Sequence, residues 1–184
     1  MYLLQEKEIK REYIFKGRIL NLRIDTVELE NGRISTREVV EHKGAVAILP
    51  VNEENEVFLV KQFRKPIDSP LLEVPAGKLE SGEDPKECAA RELMEETGFE
   101  AGTIIDLGYI YTTPGFSDEK IYLYLALNLV EREKNPDDDE FINVEKMNFE
   151  DFLEKCSEGK INDSKTLSIA FRAYSKVGII RDDK

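Results

Sequence analysis

The segment Gly77 to Phe99 constrains this chain more than any other, because it joins a glycine-bounded loop to a helix crowded with acids. The loop runs from Gly77 to Gly82 and carries Glu80, with Glu83 just beyond it. Asp84-Pro85 marks the helix start. An aspartate there accepts the unpaired amides of the first turn, and proline, lacking an N–H, suits the first helical position. Gly98 ends the helix, being free to enter the left-handed region. At the helical period Ala89, Ala90, Leu93, Met94 and Thr97 sweep one face, and Cys88, Arg91, Glu92, Glu95 and Glu96 sweep the other. Glu92 and Glu96 stand one turn apart and repel each other. In most helices such a pair is only a solvated acidic face. Here the loop before it, Arg91 four residues ahead of Glu95, and two alanines small enough for close packing on a sheet point to a site. Clustered carboxylate oxygens suit Mg²⁺ or Mn²⁺, hard cations that clamp a pyrophosphate and lower the pKa of a bound water.

Such a helix needs a sheet to pack on, and the rest of the chain supplies strands. Residues 12–15, 20–29 and 34–41 are rich in β-branched and apolar side chains, and Asn31-Gly32 signals a hairpin with positive φ at both residues. Residues 45–51 and 57–63 are continuously apolar, as strands buried on both faces are. Further strands are expected at 103–112, 120–130 and 144–147, with helices at 149–156 and 164–177. Mixed strands with helices among them give an α/β or α+β sandwich.

With 184 residues the chain can bury the core of one domain, and a net charge of -12 argues against sequence-independent nucleic-acid binding. An acidic site facing an anionic substrate also needs divalent cations between the two. Cys88 and Cys156 are too few for a disulfide framework and fit a reducing cytoplasm. Neither a signal peptide nor an apolar run of membrane-spanning length is visible, so no membrane partner is expected.

Gly77, Glu83, Arg91-Glu92-Leu93, Glu95-Glu96, Gly98 and Phe99 resemble the Nudix box, G-x5-E-x7-R-E-U-x-E-E-x-G-U, at every fixed position. The resemblance implies the Nudix fold, a mixed sheet sandwiched between helices, with the box as a metal-holding loop–helix–loop. It implies Glu92, Glu96 and the carbonyl of Ala76 as metal ligands, with Arg91 and Glu95 orienting the cluster. Residues 60–64 and 72–77, Arg37-Glu38, and the run 113–119 with Pro114 resemble the ADP-ribose pyrophosphatase branch. That branch implies ADP-ribose as substrate, with AMP and ribose 5-phosphate as products. GDP-mannose or another nucleoside diphosphate sugar is the alternative substrate, and a non-catalytic ADP-ribose-binding module is the alternative of another class. Degenerate modules lose acids from the box, and this chain keeps them all.

The same resemblance nominates Arg37, Glu38, Arg64, Gly115 and Glu119 for the substrate. Arg64 offers a planar fork for a phosphate or ribose, or is only a strand-end charge. Arg37 and Glu38 read adenine or sugar, or form a cross-strand ion pair. Glu73 bonds neighbouring backbone, His42 is structural, and Cys88 packs the helix. Relatives carry a glutamate that helps activate the attacking water in a loop like Asp137-Asp138-Asp139-Glu140. Glu140 is therefore the candidate base, with Asp138 and Asp139 as alternatives. Asn143 stands where relatives often carry a further acid. Residues 1–43 read as an N-terminal antiparallel β appendage and 44–184 as the Nudix domain. A short appendage needs a surface to pack on, and relatives of this layout are homodimers, so a symmetric dimer is expected.

Overall fold

The computed structural model describes residues 4–132 and 142–182, apart from the side chains of residues 175 and 177–182. The chain divides into two compact units, Met1–Gly44 with Tyr111–Lys120, and Ala45–Ile110 with Ile121–Lys184. In the first, β1 (Lys7–Lys16), β2 (Leu20–Glu28) and β3 (Ile34–His42) form an antiparallel sheet in that order. The hairpin between β2 and β3 falls where Asn-Gly places it, but only Gly32 takes a positive φ, of 77°. Asn31 keeps an ordinary backbone and accepts the amide of Arg33 with its side chain, 3.1 Å away. Its side chain thus replaces the second left-handed residue as the device that closes the turn.

Segment 111–120 belongs to this unit, although the sequence reading ended the N-terminal region at residue 43. It is tied to β3 through the main chain. The Val40 amide donates to Phe116 O (2.7 Å) and the Asp118 amide to Val40 O (3.2 Å). Main-chain pairing between segments so far apart leaves no mark on local sequence pattern.

The second unit is built on β4 (Ala45–Pro50), buried at all six positions. It lies in a mixed four-stranded sheet ordered β7 (Ala76–Lys78), β4, β9 (Lys120–Glu131), β8 (Phe99–Tyr111). The strand runs parallel to β9 and antiparallel to β7. Alternation along β4 explains its continuous apolar run. Val46 and Ile48 pack with Cys88, Ala89 and Leu93 of α1 (Pro85–Thr97). Ala47 and Leu49 pack with Phe152 of α2 (Phe149–Ser157) and Ile169 of α3 (Ser164–Asp182). Helices therefore cover both faces of the sheet, as the sequence predicts. A second sheet, ordered β10 (Asn143–Asn148), β5 (Glu56–Arg64), β6 (Ser69–Glu73), is antiparallel throughout.

The punctuation of α1 is as expected. Asp84 accepts from the amides of Lys86 (2.8 Å) and Glu87 (3.3 Å), Pro85 holds the first position, and Gly98 closes the helix at φ 77°. Its faces differ from the helical-wheel reading. The buried stripe is Cys88, Ala89, Glu92, Leu93, Glu96 and Thr97, while Ala90 is exposed. Two glutamates expected on the outer face thus turn inward, and only one of the two alanines serves the packing.

Candidate active site

The inward carboxylates are accommodated by the strand β7 at the start of the acidic loop. Glu92 is 8% exposed and Glu96 3%. Glu96 Oε2 accepts the amide of Ala76 at 3.0 Å, which fixes the helix against the strand. Gly77 leaves the space that the Glu92 carboxylate fills, since a Cβ there would lie 1.8 Å from the carboxylate carbon. No other residue type fits that position without displacing the acid, which is the physical reason for glycine at the head of the loop.

Arg91 organises the remaining charge. Its Nε and Nη2 fork onto Glu83 at 3.0 and 3.2 Å, while Nη1 donates to Glu92 (2.8 Å) and Glu95 (2.9 Å). The sequence sets Arg91 four residues ahead of Glu95, and the structure gives it Glu83 and Glu92 as well. The guanidinium holds the Glu83 carboxyl down at about 2, and the glutamates raise the arginine's own pKa. Cys88 lies beneath this array. Burial, with Glu83 beside it, pushes the thiol up to about 12, so it is a neutral packing group and not a thiolate ligand.

Among the described residues, no three His, Cys, Asp or Glu side chains converge as a closed metal cage. Glu92 and Glu96 are instead a pair of buried carboxylates one turn apart, an oxygen-only set. That chemistry fits Mg²⁺, which is held by one or two carboxylates and keeps several waters. The space that Gly77 leaves seats one of these two carboxylates.

Arg64 and Glu73 form a different cluster in this unit. Arg64 meets Glu73 through two bonds of 2.7 Å, and Glu73 also accepts from Lys165. Glu73 was expected to bond backbone, and it binds side-chain cations because its carboxylate is wholly buried and needs compensation. Burial opposes the charge of Glu73, but Arg64 and Lys165 outweigh it and lower its pKa.

The other candidates lie in the first unit. Arg37, Glu38, Tyr111, Pro114, Gly115 and Phe116 line a cavity of about 460 Å³. Arg37 pairs there with Glu6, not with Glu38, and its Nη1 reaches the Ser35 hydroxyl at 3.1 Å. Gly115 faces open space, and Phe116 is 56% exposed. Glu119 sits at the base of the 111–120 segment, accepting from the Thr112 hydroxyl at 2.7 Å. His42 accepts the Gly44 amide, a structural role. Glu140 and the acids 137–139 lie outside the described residues. Sequence reasoning missed Tyr111 and Phe116 as cavity walls and Lys165 as a partner of Glu73; no local pattern could have supplied the last.

Comparison with known proteins agrees with this architecture. Residues 41–167 match the model of the NUDIX domain, and residues 6–40 match that of the nucleoside diphosphate sugar hydrolase N-terminal domain. The chain is 45% identical to the ADP-ribose pyrophosphatase of Bacillus subtilis, covering 90% of this chain and 91% of the relative. It is 46% identical to the methanol dehydrogenase activator of Bacillus methanolicus, covering 90% of each. A GDP-mannose pyrophosphatase of Yersinia enterocolitica is more distant, at 34% identity over 72% of this chain and 74% of the relative. The crystal structure of an ADP compounds hydrolase superposes with a TM-score of 0.85 over 97% of both chains at 20% identity, a likeness of fold.

Proposed function

The chain belongs to the Nudix family, and on that premise we propose that it hydrolyses the pyrophosphate bond of ADP-ribose, giving AMP and ribose 5-phosphate. The observation that carries this reading is the buried pair Glu92 and Glu96, seated on Gly77 and on the Ala76 amide. Burying two like charges one turn apart is costly, and a cation-binding role accounts for the cost. Glu92, Glu96 and the carbonyl of Ala76 would hold Mg²⁺, with Mn²⁺ as a substitute. When bound, the ion neutralises charge on the diphosphate and makes water more acidic. Arg91 orients Glu92 and, with Glu95 and Glu83, keeps the helix face in one arrangement. Glu140, assigned from sequence, takes the proton of the attacking water.

Arg37, Glu38 and Gly115 are proposed to bind the nucleotide, in a cavity of the right order of size for a ligand. The exposed Phe116 and Tyr111 offer faces for stacking a base. Glu119 supports that segment from below, and Arg64 is proposed to serve the phosphates with its outer edge while Glu73 holds its fork. Ile9, Ile14 and Phe15 of β1, each more than half exposed, support the reading of the N-terminal sheet as the contact in a homodimer. Among the described residues no helix is long and apolar enough to cross a membrane, and the free Cys88 and Cys156 support a cytoplasmic location.

The test is to incubate the protein with ADP-ribose or GDP-mannose, with Mg²⁺ or EDTA, and to separate the products by chromatography. AMP formed only with Mg²⁺ and faster than GMP supports the proposal. Preferred release of GMP reassigns the substrate, and no turnover of either sugar nucleotide refutes the proposal.

A further inference from the structure

Residues 73–76 are the stretch of chain that leads into the proposed cation site, and every one of them is tied by a polar contact. The Glu73 carboxylate is gripped by Arg64 and Lys165. The Val74 amide donates to Thr166 Oγ1 at 2.9 Å, a buried bond that joins positions 92 residues apart. Pro75 O accepts from the Ile48 amide at 2.9 Å, and the Ala76 amide donates to Glu96 at 3.0 Å. Two of these ties come from the start of α3, which carries none of the family's signature residues.

The α3 end is itself ordered for this task. Asp163 Oδ2 accepts both the Thr166 amide (3.0 Å) and the Thr166 hydroxyl (2.6 Å). With its proton committed to Asp163, the hydroxyl oxygen presents a lone pair to Val74. Asp163 Oδ1 lies 3.0 Å from the Lys165 ammonium, so the aspartate sets both neighbours at once. Glu73, Asp163, Arg64 and Lys165 balance in charge, which offsets the burial of Glu73 and Lys165. Thr166 is fully buried and Lys165 nearly so, although both belong to residue types found mostly at surfaces. Arg64, at the edge of the group, lies close enough to Glu96 for the two charges to interact.

We propose that Thr166 and Lys165 are positioning residues. They fix residues 73–76 from behind and so hold Ala76 and Glu96 in the arrangement that binds the divalent cation. The proposal rests on Glu92, Glu96 and Ala76 being that cation's ligands. It assigns the C-terminal helix a part in metal affinity beyond packing.

The experiment measures Mn²⁺ binding to the full chain by the loss of the free-ion electron paramagnetic resonance signal. Melting temperature is recorded for each variant. Thr166→Val keeps the side-chain shape and removes both hydroxyl contacts, and Lys165→Met removes the ammonium. Each is expected to weaken Mn²⁺ binding on the order of 10-fold, the scale for groups that orient metal ligands, measured well below its melting temperature. Thr166→Ser and Lys165→Arg should restore affinity to within about threefold by the same orienting contact. Glu96→Gln serves as the reference and should lose more affinity than either. If Thr166→Val and Lys165→Met lower the melting temperature but bind Mn²⁺ as the wild type does, while Glu96→Gln does not, the positioning role is refuted and the site stands. If Glu96→Gln itself binds with wild-type affinity, the site assignment fails and this proposal fails with it. Should Lys165→Met not fold, Thr166→Val and its serine rescue decide the matter.

Discussion

Two clusters of buried acids lie in the same unit and are held by opposite means. Glu73 is wholly buried and meets two side-chain cations, with Asp163 completing a neutral set. Around Arg91 a single guanidinium serves three carboxylates, and Glu96 rests on a main-chain amide. The first arrangement is balanced in charge by the chain's own side chains. The second gathers more negative charge than Arg91 offsets, and the proposed function gives it a cation from solution. Acidity and burial alone do not separate a site from a brace.

The largest effect is expected at the α1 pair. Glu96→Gln and Glu92→Gln should each lower kcat about 100-fold or more with Mg²⁺ present, since each removes a charge that acts on the transition state. Melting temperature should hold or rise, because a like-charge repulsion is relieved. A steep fall in melting temperature with little change in kcat would make the pair a brace instead of a site. Next, Gly77→Ala drives a Cβ into the Glu92 carboxylate and should lower kcat by roughly tenfold or more through a misplaced ligand. Wild-type kinetics in that variant would show that Glu92 need not occupy the recess.

Glu73→Leu should act on stability, with a loss of about 3 kcal/mol for breaking a buried ion network, read from denaturant unfolding. A loss below about 1 kcal/mol, the scale of an exposed pair, would remove the contrast between the clusters. The smallest effect concerns Glu83. Its folded-state pKa is depressed from the ordinary 4.5 to about 2 by Arg91. Its stabilisation is therefore complete above pH 4.5 and is lost as pH falls towards 2. Melting curves between these limits should fall less steeply for Glu83→Gln than for the wild type. Identical slopes would show that the Arg91 contact does not persist in solution.

Much of this was legible in the sequence where the pattern is local. The caps of α1 follow from Asp84, Pro85 and Gly98, and the two-faced burial of β4 follows from its unbroken apolar run. What escaped was non-local or ran against type. A helical wheel places Glu92 and Glu96 outside because it counts acids as solvent-seeking, and only the recess at Gly77 and the Ala76 amide reverse that. The short strand β7 has three residues, too few for a period to show. The union of Glu73 with Lys165 and of segment 111–120 with β3 joins distant parts of the chain, where spacing carries no signal. Of the nominated site, Glu92, Glu96, Ala76, Arg91 and Glu95 come together, as do Arg37, Glu38 and Gly115.

The most direct test of the central claim is the rate of AMP formation from ADP-ribose as Mg²⁺ is titrated, for the wild type and for the double variant Glu92→Gln/Glu96→Gln. A saturable Mg²⁺ dependence in the wild type, no turnover in EDTA, and a double variant that stays near background at every Mg²⁺ concentration with its fold intact is the predicted result. Turnover by the wild type in EDTA, or by the double variant at the wild-type rate, would contradict it.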